Sequence, residues 1–208
     1  MSKGIFITFE GIEGSGKTTQ ANLLSERLKK EGYKVLLTYE PGDTEIGRKI
    51  RDILLDSRAK INPLVELFLY LADRVQHIEE KIKPHIETGF IVICDRFTDS
   101  TVAYQGYGRG ISIELIKKLN KILFDDFLPD LTILLDLPVQ HGLQRNQKIK
   151  KMDRFEMEDI DFHNKVRQGY LEIAGTEPQR FIILDATESF QEIAEKIYRK
   201  VKSTFNLL

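Results

Sequence analysis

Five short apolar runs recur along the 208-residue chain, at 5–9, 35–39, 90–94, 131–135 and 181–184, each nearly unbroken in Ile, Val, Leu and Phe. A strand with one wet face alternates apolar and polar residues. Runs this continuous predict strands covered on both faces, as in a parallel sheet. Segments with helical spacing separate them. In 17–30, Ala21, Leu24 and Leu28 share a face, and Gly32 follows as a stop. Asn62-Pro63 opens another helix carrying Leu67, Leu71, Val75 and Ile78, which Pro84 and Gly89 are expected to end. Further amphipathic stretches cover 111–124, 139–145, 160–174 and 190–202. Strands alternating with helices imply right-handed crossovers and an open α/β sandwich. No repeat, low-complexity tract or linker divides the chain, so a single domain over 1–208 is expected.

Composition narrows the partners. With 31 Lys+Arg against 32 Asp+Glu, the net charge of −1 removes bulk attraction to nucleic acid or anionic lipid and still permits a local basic site. The single cysteine, Cys94, excludes an intrachain disulfide framework and a Cys-rich zinc site, and fits a reducing compartment. Met1-Ser2-Lys3-Gly4 runs straight into the first apolar run, and no apolar span of about 18 residues occurs. A cytoplasmic protein, bound neither to membrane nor to nucleic acid, is expected.

The junction after the first run reads Gly11-Ile12-Glu13-Gly14-Ser15-Gly16-Lys17-Thr18, followed by Thr19. This is the phosphate-loop pattern, in the strand-to-helix context that the pattern requires. Glycines let backbone N–H groups turn inward around a polyphosphate, and the helix N-terminus adds partial positive charge. Lys17 can bridge the β- and γ-phosphates, and the Thr18 hydroxyl can ligand Mg²⁺. The loop predicts a nucleoside triphosphate site without naming the reaction, because switches, motors and kinases share it. The Asp-x-x-Gly and Asn-Lys-x-Asp patterns of a guanine-nucleotide switch are missing: Asn120-Lys121 continues as Ile122-Leu123, and Asn164-Lys165 as Val166-Arg167. A motor would need interdomain machinery for which 208 residues leave little room. The informative acid lies in Asp95-Arg96-Phe97, at the end of the third run. Ligands of an open α/β sheet bind at strand carboxyl ends, where Asp95 can hold Mg²⁺ directly or through water and Arg96 can clamp phosphate oxygens.

Further motifs follow in order: Glu40-Pro41-Gly42, Asp73-Arg74, the long segment Asp95-Arg96-Phe97-Thr98-Asp99-Ser100-Thr101-Val102-Ala103-Tyr104-Gln105-Gly106, Leu135-Asp136-Leu137-Pro138, Asp153-Arg154-Phe155-Glu156 and Asp185-Ala186-Thr187. Over nearly its whole length the chain resembles the bacterial thymidylate kinase family. The resemblance implies a three-layer P-loop kinase fold, with a five-stranded parallel sheet flanked by helices and a short mobile lid near 145–156. It implies transfer of the ATP γ-phosphoryl group to dTMP, with Mg²⁺ at Thr18 and Asp95 and with Lys17, Arg96 and Arg154 as electrostatic catalysts. ATP would lie along Gly11, Ile12, Glu13, Gly14, Ser15, Gly16, Lys17, Thr18 and Thr19, with Arg145 near adenine and Thr187 beside it. For dTMP, Tyr70 would stack on thymine and Arg74, one helical turn on, would reach the base edge. On spacing alone Tyr70 reads equally well as a core aromatic. Ser100, Thr101, Tyr104 and Gln105 would line the same pocket, with Thr101 and Gln105 near the base and Tyr104 excluding a ribose 2′-OH. Arg51, after the Pro41 loop, and Arg96 would take the acceptor phosphate, while Glu13 would face the acceptor sugar.

Two departures stand out. Where the family commonly has Gly-Gly-Thr, this chain reads Gly42-Asp43-Thr44, and Asp43 can point to solvent or pair with Arg48. Some relatives carry an arginine where this chain has Gly14, so the missing charge is expected from the lid, with Arg154 as the catalytic arginine. Lys148, Lys150 and Lys151 read either as further lid cations or as solvated surface. The acceptor phosphate is already ionised at neutral pH and needs no general base. His77, His85, His141 and His163 are accordingly expected at the surface or in packing, and Cys94 as an inert small hydrophobe. The resemblance also implies a homodimer packed through helices. A kinase for another acceptor and a non-catalytic nucleotide-binding regulator are the competing readings.

Overall fold

The computed structural model describes residues 4–125, 127–148 and 154–207. Strands β1 (Ile5–Glu10), β2 (Val35–Tyr39), β3 (Ile91–Asp95), β4 (Leu131–Asp136) and β5 (Phe181–Asp185) form a parallel sheet in the order β2-β3-β1-β4-β5. The expected fold class and the five apolar runs are met to within a residue at either end. The three central strands are buried almost throughout, whereas the edge strands β2 and β5 carry half-exposed positions. Two-sided cover explains the unbroken apolar character of β1, β3 and β4.

Helices α1 (Lys17–Lys30), α2 (Glu45–Leu55), α3 (Pro63–His77), α4 (Lys83–Glu87), α5 (Thr98–Thr101), α6 (Ile113–Phe124), α7 (Val139–Lys148), α8 (Ile160–Thr176) and α9 (Phe190–Phe205) cover the sheet. Helix α1 lies against β1, β2 and β3 and also meets α9, while α8 covers β4 and β5. One apolar core results, in which Phe6, Ile7, Phe9, Leu28, Ile93, Ile133 and Val166 are essentially sealed from solvent. Polar caps fix the helix starts. Asn62 accepts from the Leu64 N–H with Pro63 in the first turn, and Ser189 and Glu192 form a reciprocal capping box. No helix among the described residues is long and apolar enough to cross a membrane.

Pro84 does not end the helical run that begins at Pro63. Residues Ile78–Ile82 form a π turn, the Lys83 N–H reaches back to the Ile78 carbonyl, and Pro84 falls in the first turn of α4. The change of hydrogen-bond pattern places the proline where its missing N–H breaks no helical bond. A second π segment, Val102–Gly108, extends α5 and packs along α8.

Strand order positions the site. Because β3 pairs with β1, with Thr8 beside Cys94 and Phe9 beside Asp95, the loop after β1 and the Asp95-Arg96 turn leave the sheet side by side. The β2 end joins them from the far side of β3, where Tyr39 pairs with Asp95.

Candidate active site

The loop between β1 and α1 wraps a cavity of about 1080 Å³ that also reaches the ends of β2 and β3. Glu13, Gly14, Gly16, Lys17, Thr18 and Thr19 line it from the loop and α1; Ile12 and Ser15 are buried behind. Gly14 has a positive φ of 73°, and a Cβ there would meet the Gly142 carbonyl of α7 at 2.5 Å. An arginine therefore cannot occupy this position without displacing α7. The Lys17 ammonium donates to the Ile12 carbonyl at 2.8 Å. Burial, reinforced by the nearby Arg96 charge, depresses its pKa to about 8 against the pull of Asp95, Glu13 and Glu10. The Thr18 hydroxyl donates to the Asp95 carboxylate, which joins the two expected metal ligands.

Arg96 is the most constrained group in the site. Its φ of 72° is left-handed, and its N–H donates to the Phe9 carbonyl at 3.0 Å. Such a backbone costs free energy in a non-glycine residue and persists only when the surroundings fix it. Here the guanidinium donates to the Gly11 carbonyl, Ser100, Tyr170, Tyr104 and Glu13, all at 3.0–3.2 Å. Glu13 also accepts from the Tyr104 hydroxyl at 2.5 Å and lies 3.6 Å from His163 Nδ1. Burial would raise its pKa, but His163, Arg96, Lys17 and Tyr104 together hold it well below the ordinary value.

Beneath Arg96, the buried Glu10 carboxylate accepts from the Phe97 N–H at 2.7 Å, Ser100 at 2.6 Å and Tyr170 at 3.0 Å. Burial and the neighbouring Asp99 push its pKa up to about 7.

The other end of the cavity collects the expected acceptor residues. Pro41, Arg51, Tyr70, Ser100, Thr101, Tyr104 and Gln105 all line it. Arg51 donates to the Pro41 carbonyl at 2.6 Å and packs so closely on Gly42, at φ 116°, that a Cβ there would sit 2.7 Å from its Cδ. The Glu40–Pro41 peptide is cis.

Arg74 does not line the cavity. It is sealed behind the wall, donating to Glu40 at 2.8 Å, Thr101 at 2.8 Å and the Phe97 carbonyl at 3.0 Å, so in this structure it braces Thr101, which itself lines the cavity. Thr187 is likewise outside, bonded to Asp185, while its neighbour Ala186 accepts from Arg145. Arg145 does line the cavity, bridging Gly14 and Ala186 through their carbonyls at 3.1 Å each.

Arg154 is not at the phosphate loop. Its guanidinium is bound to Glu66 at 2.5 Å and to the Leu54 carbonyl at 3.2 Å, on the side expected to take the acceptor. Two half-buried arginines, Arg109 and Arg154, on one fully buried carboxylate form a strong local anchor, and it holds Arg154 away from the phosphate loop. Lys150 and Lys151, and the side chain of Lys148, lie outside the described residues.

Two further expectations change. Asp43 takes neither predicted course; it accepts from Thr38 at 2.5 Å and pairs with Lys81 at 2.9 Å. His77 and His163 are buried in polar networks and not in simple packing. His77 bridges Glu40 and Thr38 at 2.9 and 2.6 Å, and His163 stands beside Glu13. Cys94 is buried as expected, and burial pushes its thiol well up. Sequence reasoning did not single out Tyr170 or Glu66, and it gave His163 no place in the site. They come from α3 and α8, and no local motif marks them.

A parallel sheet with a glycine-rich strand-to-helix loop, a buried lysine and an aspartate–arginine turn at adjacent strand ends defines a P-loop phosphotransferase. The thymidylate kinase family model matches residues 9–197. The chain is similar to the thymidylate kinases of Halothermothrix orenii and Pelobacter propionicus, at 50% identity over 203 and 205 residues; these alignments cover 96% and 95% of this chain and 97% and 94% of theirs. It also resembles the solved thymidylate kinase structure from Ehrlichia chaffeensis, with a TM-score of 0.79 and 36% identity over 97% of this chain and 99% of that one. The chain belongs to the thymidylate kinase family, ATP-dependent phosphotransferases that convert dTMP to dTDP.

Proposed function

We propose that this chain transfers the γ-phosphoryl group of ATP to dTMP in line, with the two nucleotides entering one cavity from opposite ends. The observation that carries this reading is the continuity of that cavity, walled by the phosphate loop and Arg145 at one end and by Tyr70, Thr101 and Gln105 at the other, with Arg96 between. Lys17 and Arg96 supply positive charge where it accumulates on transferring and accepting phosphates, and the arrangement lowers the barrier mainly by positioning and electrostatics. Arg51 completes the acceptor clamp. Glu13 occupies Arg96 until a phosphate competes for it.

The donor set suits Mg²⁺: the Thr18 hydroxyl and Asp95 carboxylate are hard oxygens already in contact, and Mg²⁺ takes one or two protein oxygens and completes its shell with phosphate and water. Bound there, it would neutralise charge on the β- and γ-phosphates.

We further assign a homodimer. Helix α3 leaves Leu64, Phe68 and Val75 exposed at spacings of four and seven, a stripe that belongs against another apolar surface.

A coupled ADP-release assay across dTMP, dUMP, dCMP, dGMP, AMP and thymidine should give the highest kcat/KM with dTMP. Equal rates across the panel would overturn the substrate assignment.

A further inference from the structure

We infer that Glu66, which is outside the cavity wall, is the positioning residue that makes the acceptor pocket select a thymine over a cytosine ring. The inference rests on the reading above, in which Gln105 stands at the acceptor base.

Glu66 lies in the first turns of α3 and is fully buried. Its Oε1 accepts from Gln105 Nε2 at 2.8 Å and from Arg109 Nε at 3.2 Å; its Oε2 accepts from Arg109 at 3.2 Å and from Arg154 at 2.5 Å. A carboxylate paired with two guanidiniums offers acceptors only. The Gln105 amide must therefore turn its NH₂ toward Glu66, whichever way a freely rotating amide would point. Gln105 lines the cavity, and no hydrogen bond to its Oε1 occurs among the described residues. The NH₂ is spent on Glu66, so the group left for a bound base is a carbonyl oxygen.

That polarity carries selectivity. Thymine presents N3–H, a donor, to a ring-edge acceptor, and the two pair. Cytosine presents a lone pair at N3, which faces the Oε1 lone pair with no proton between. A site built around one polar polarity rejects the opposite one far more strongly than a hydrophobic pocket rejects a methyl group. Uracil carries the same N3–H as thymine, so Glu66 leaves dTMP and dUMP undiscriminated. The methyl group is read elsewhere.

Glu66→Gln tests this. The new amide is nearly isosteric, and the two arginines will draw its carbonyl toward themselves. Its NH₂ then faces Gln105, which must flip and present its own NH₂ to the cavity. The dTMP:dCMP ratio of kcat/KM should fall about tenfold or more, while the dTMP:dUMP ratio stays at its wild-type value. A purely structural role for Glu66 would lower all three substrates together and leave both ratios unchanged; that result overturns the inference. If Glu66→Gln does not fold, as judged by thermal melting, Gln105→Leu in the otherwise intact protein decides: a fall in the dTMP:dCMP ratio supports base reading by an oriented amide, and an unchanged ratio overturns it. Wild-type enzyme with no preference for dTMP would instead refute the underlying substrate assignment, so the two failures are distinguishable.

Discussion

Asp73 and Arg74 are neighbours in the chain but perform different tasks in the fold. Arg74 braces Thr101 and Glu40, whereas Asp73 accepts the Gly42 N–H at 3.0 Å and ties α3 to the Pro41 loop. Burial, with Glu40 close by, pushes the Asp73 carboxyl up to about 7. Its unfolded value stays near 3.8, so between these two values the native state holds a proton that the unfolded chain has lost. The contribution of Asp73 to stability therefore falls as pH rises from about 4 to about 7. Asp73→Asn keeps the acceptor and cannot ionise. It should match wild type below pH 4 and melt about 5 °C higher at pH 8, as followed by circular dichroism at several pH values. A gap that is constant with pH would mean that ionisation is not its cause. At this scale the sequence showed what chemistry each residue could do but not what it would face. Asp43 turned from Arg48 to Thr38 and Lys81 because β2 and the π turn after α3 bring those groups to it.

At the scale of elements, the segment after α7 carries the principal question. Arg154 is anchored to Glu66, and Phe155 lies beside it against Tyr104 and Tyr70, with ring centroids 5.7 and 6.3 Å apart. For Arg154 to reach a transferring phosphate, this segment has to release Glu66 when ATP binds. If it does, Arg154→Ala should lower kcat by about 10³-fold, with a much smaller change in the dTMP KM, because an arginine finger acts chiefly in the transition state. Steady-state kinetics will show this. A kcat near wild type would move the role to Arg145, which already bridges the loop and Ala186, or to the lysines at 148, 150 and 151. The positions of strands and helices were legible because periodicity records burial. The continuation through Pro84 was not legible, since a π turn leaves no compositional mark and depends on how α3 and α4 pack on the sheet.

For the whole molecule, the exposed stripe on α3 predicts self-association. Phe68 is 56% exposed in the single chain. Phe68→Glu should convert a dimer to a monomer in light scattering at micromolar concentration while leaving secondary structure intact, since the residue is not a member of the buried apolar core. A wild-type monomer would refute the dimer.

By itself the sequence determined the strand-and-helix alternation, the phosphate loop with Lys17 and Thr18, and the placing of Asp95 and Arg96 at a strand end. These are local properties: a periodicity, a glycine spacing, a charge at a strand end. Only the tertiary structure decided that β3 lies beside β1, so that Thr18 meets Asp95; that Tyr170 and Glu10 hold Arg96 in a left-handed backbone; that Arg74 stands behind the wall; and that Glu66 gathers Arg109, Arg154 and Gln105. Strand order and helix packing set which buried polar groups must satisfy one another, and these partners lie tens to more than a hundred residues apart. No local pattern encodes such pairings. They follow from the high cost of leaving a charge unpaired inside a dry core.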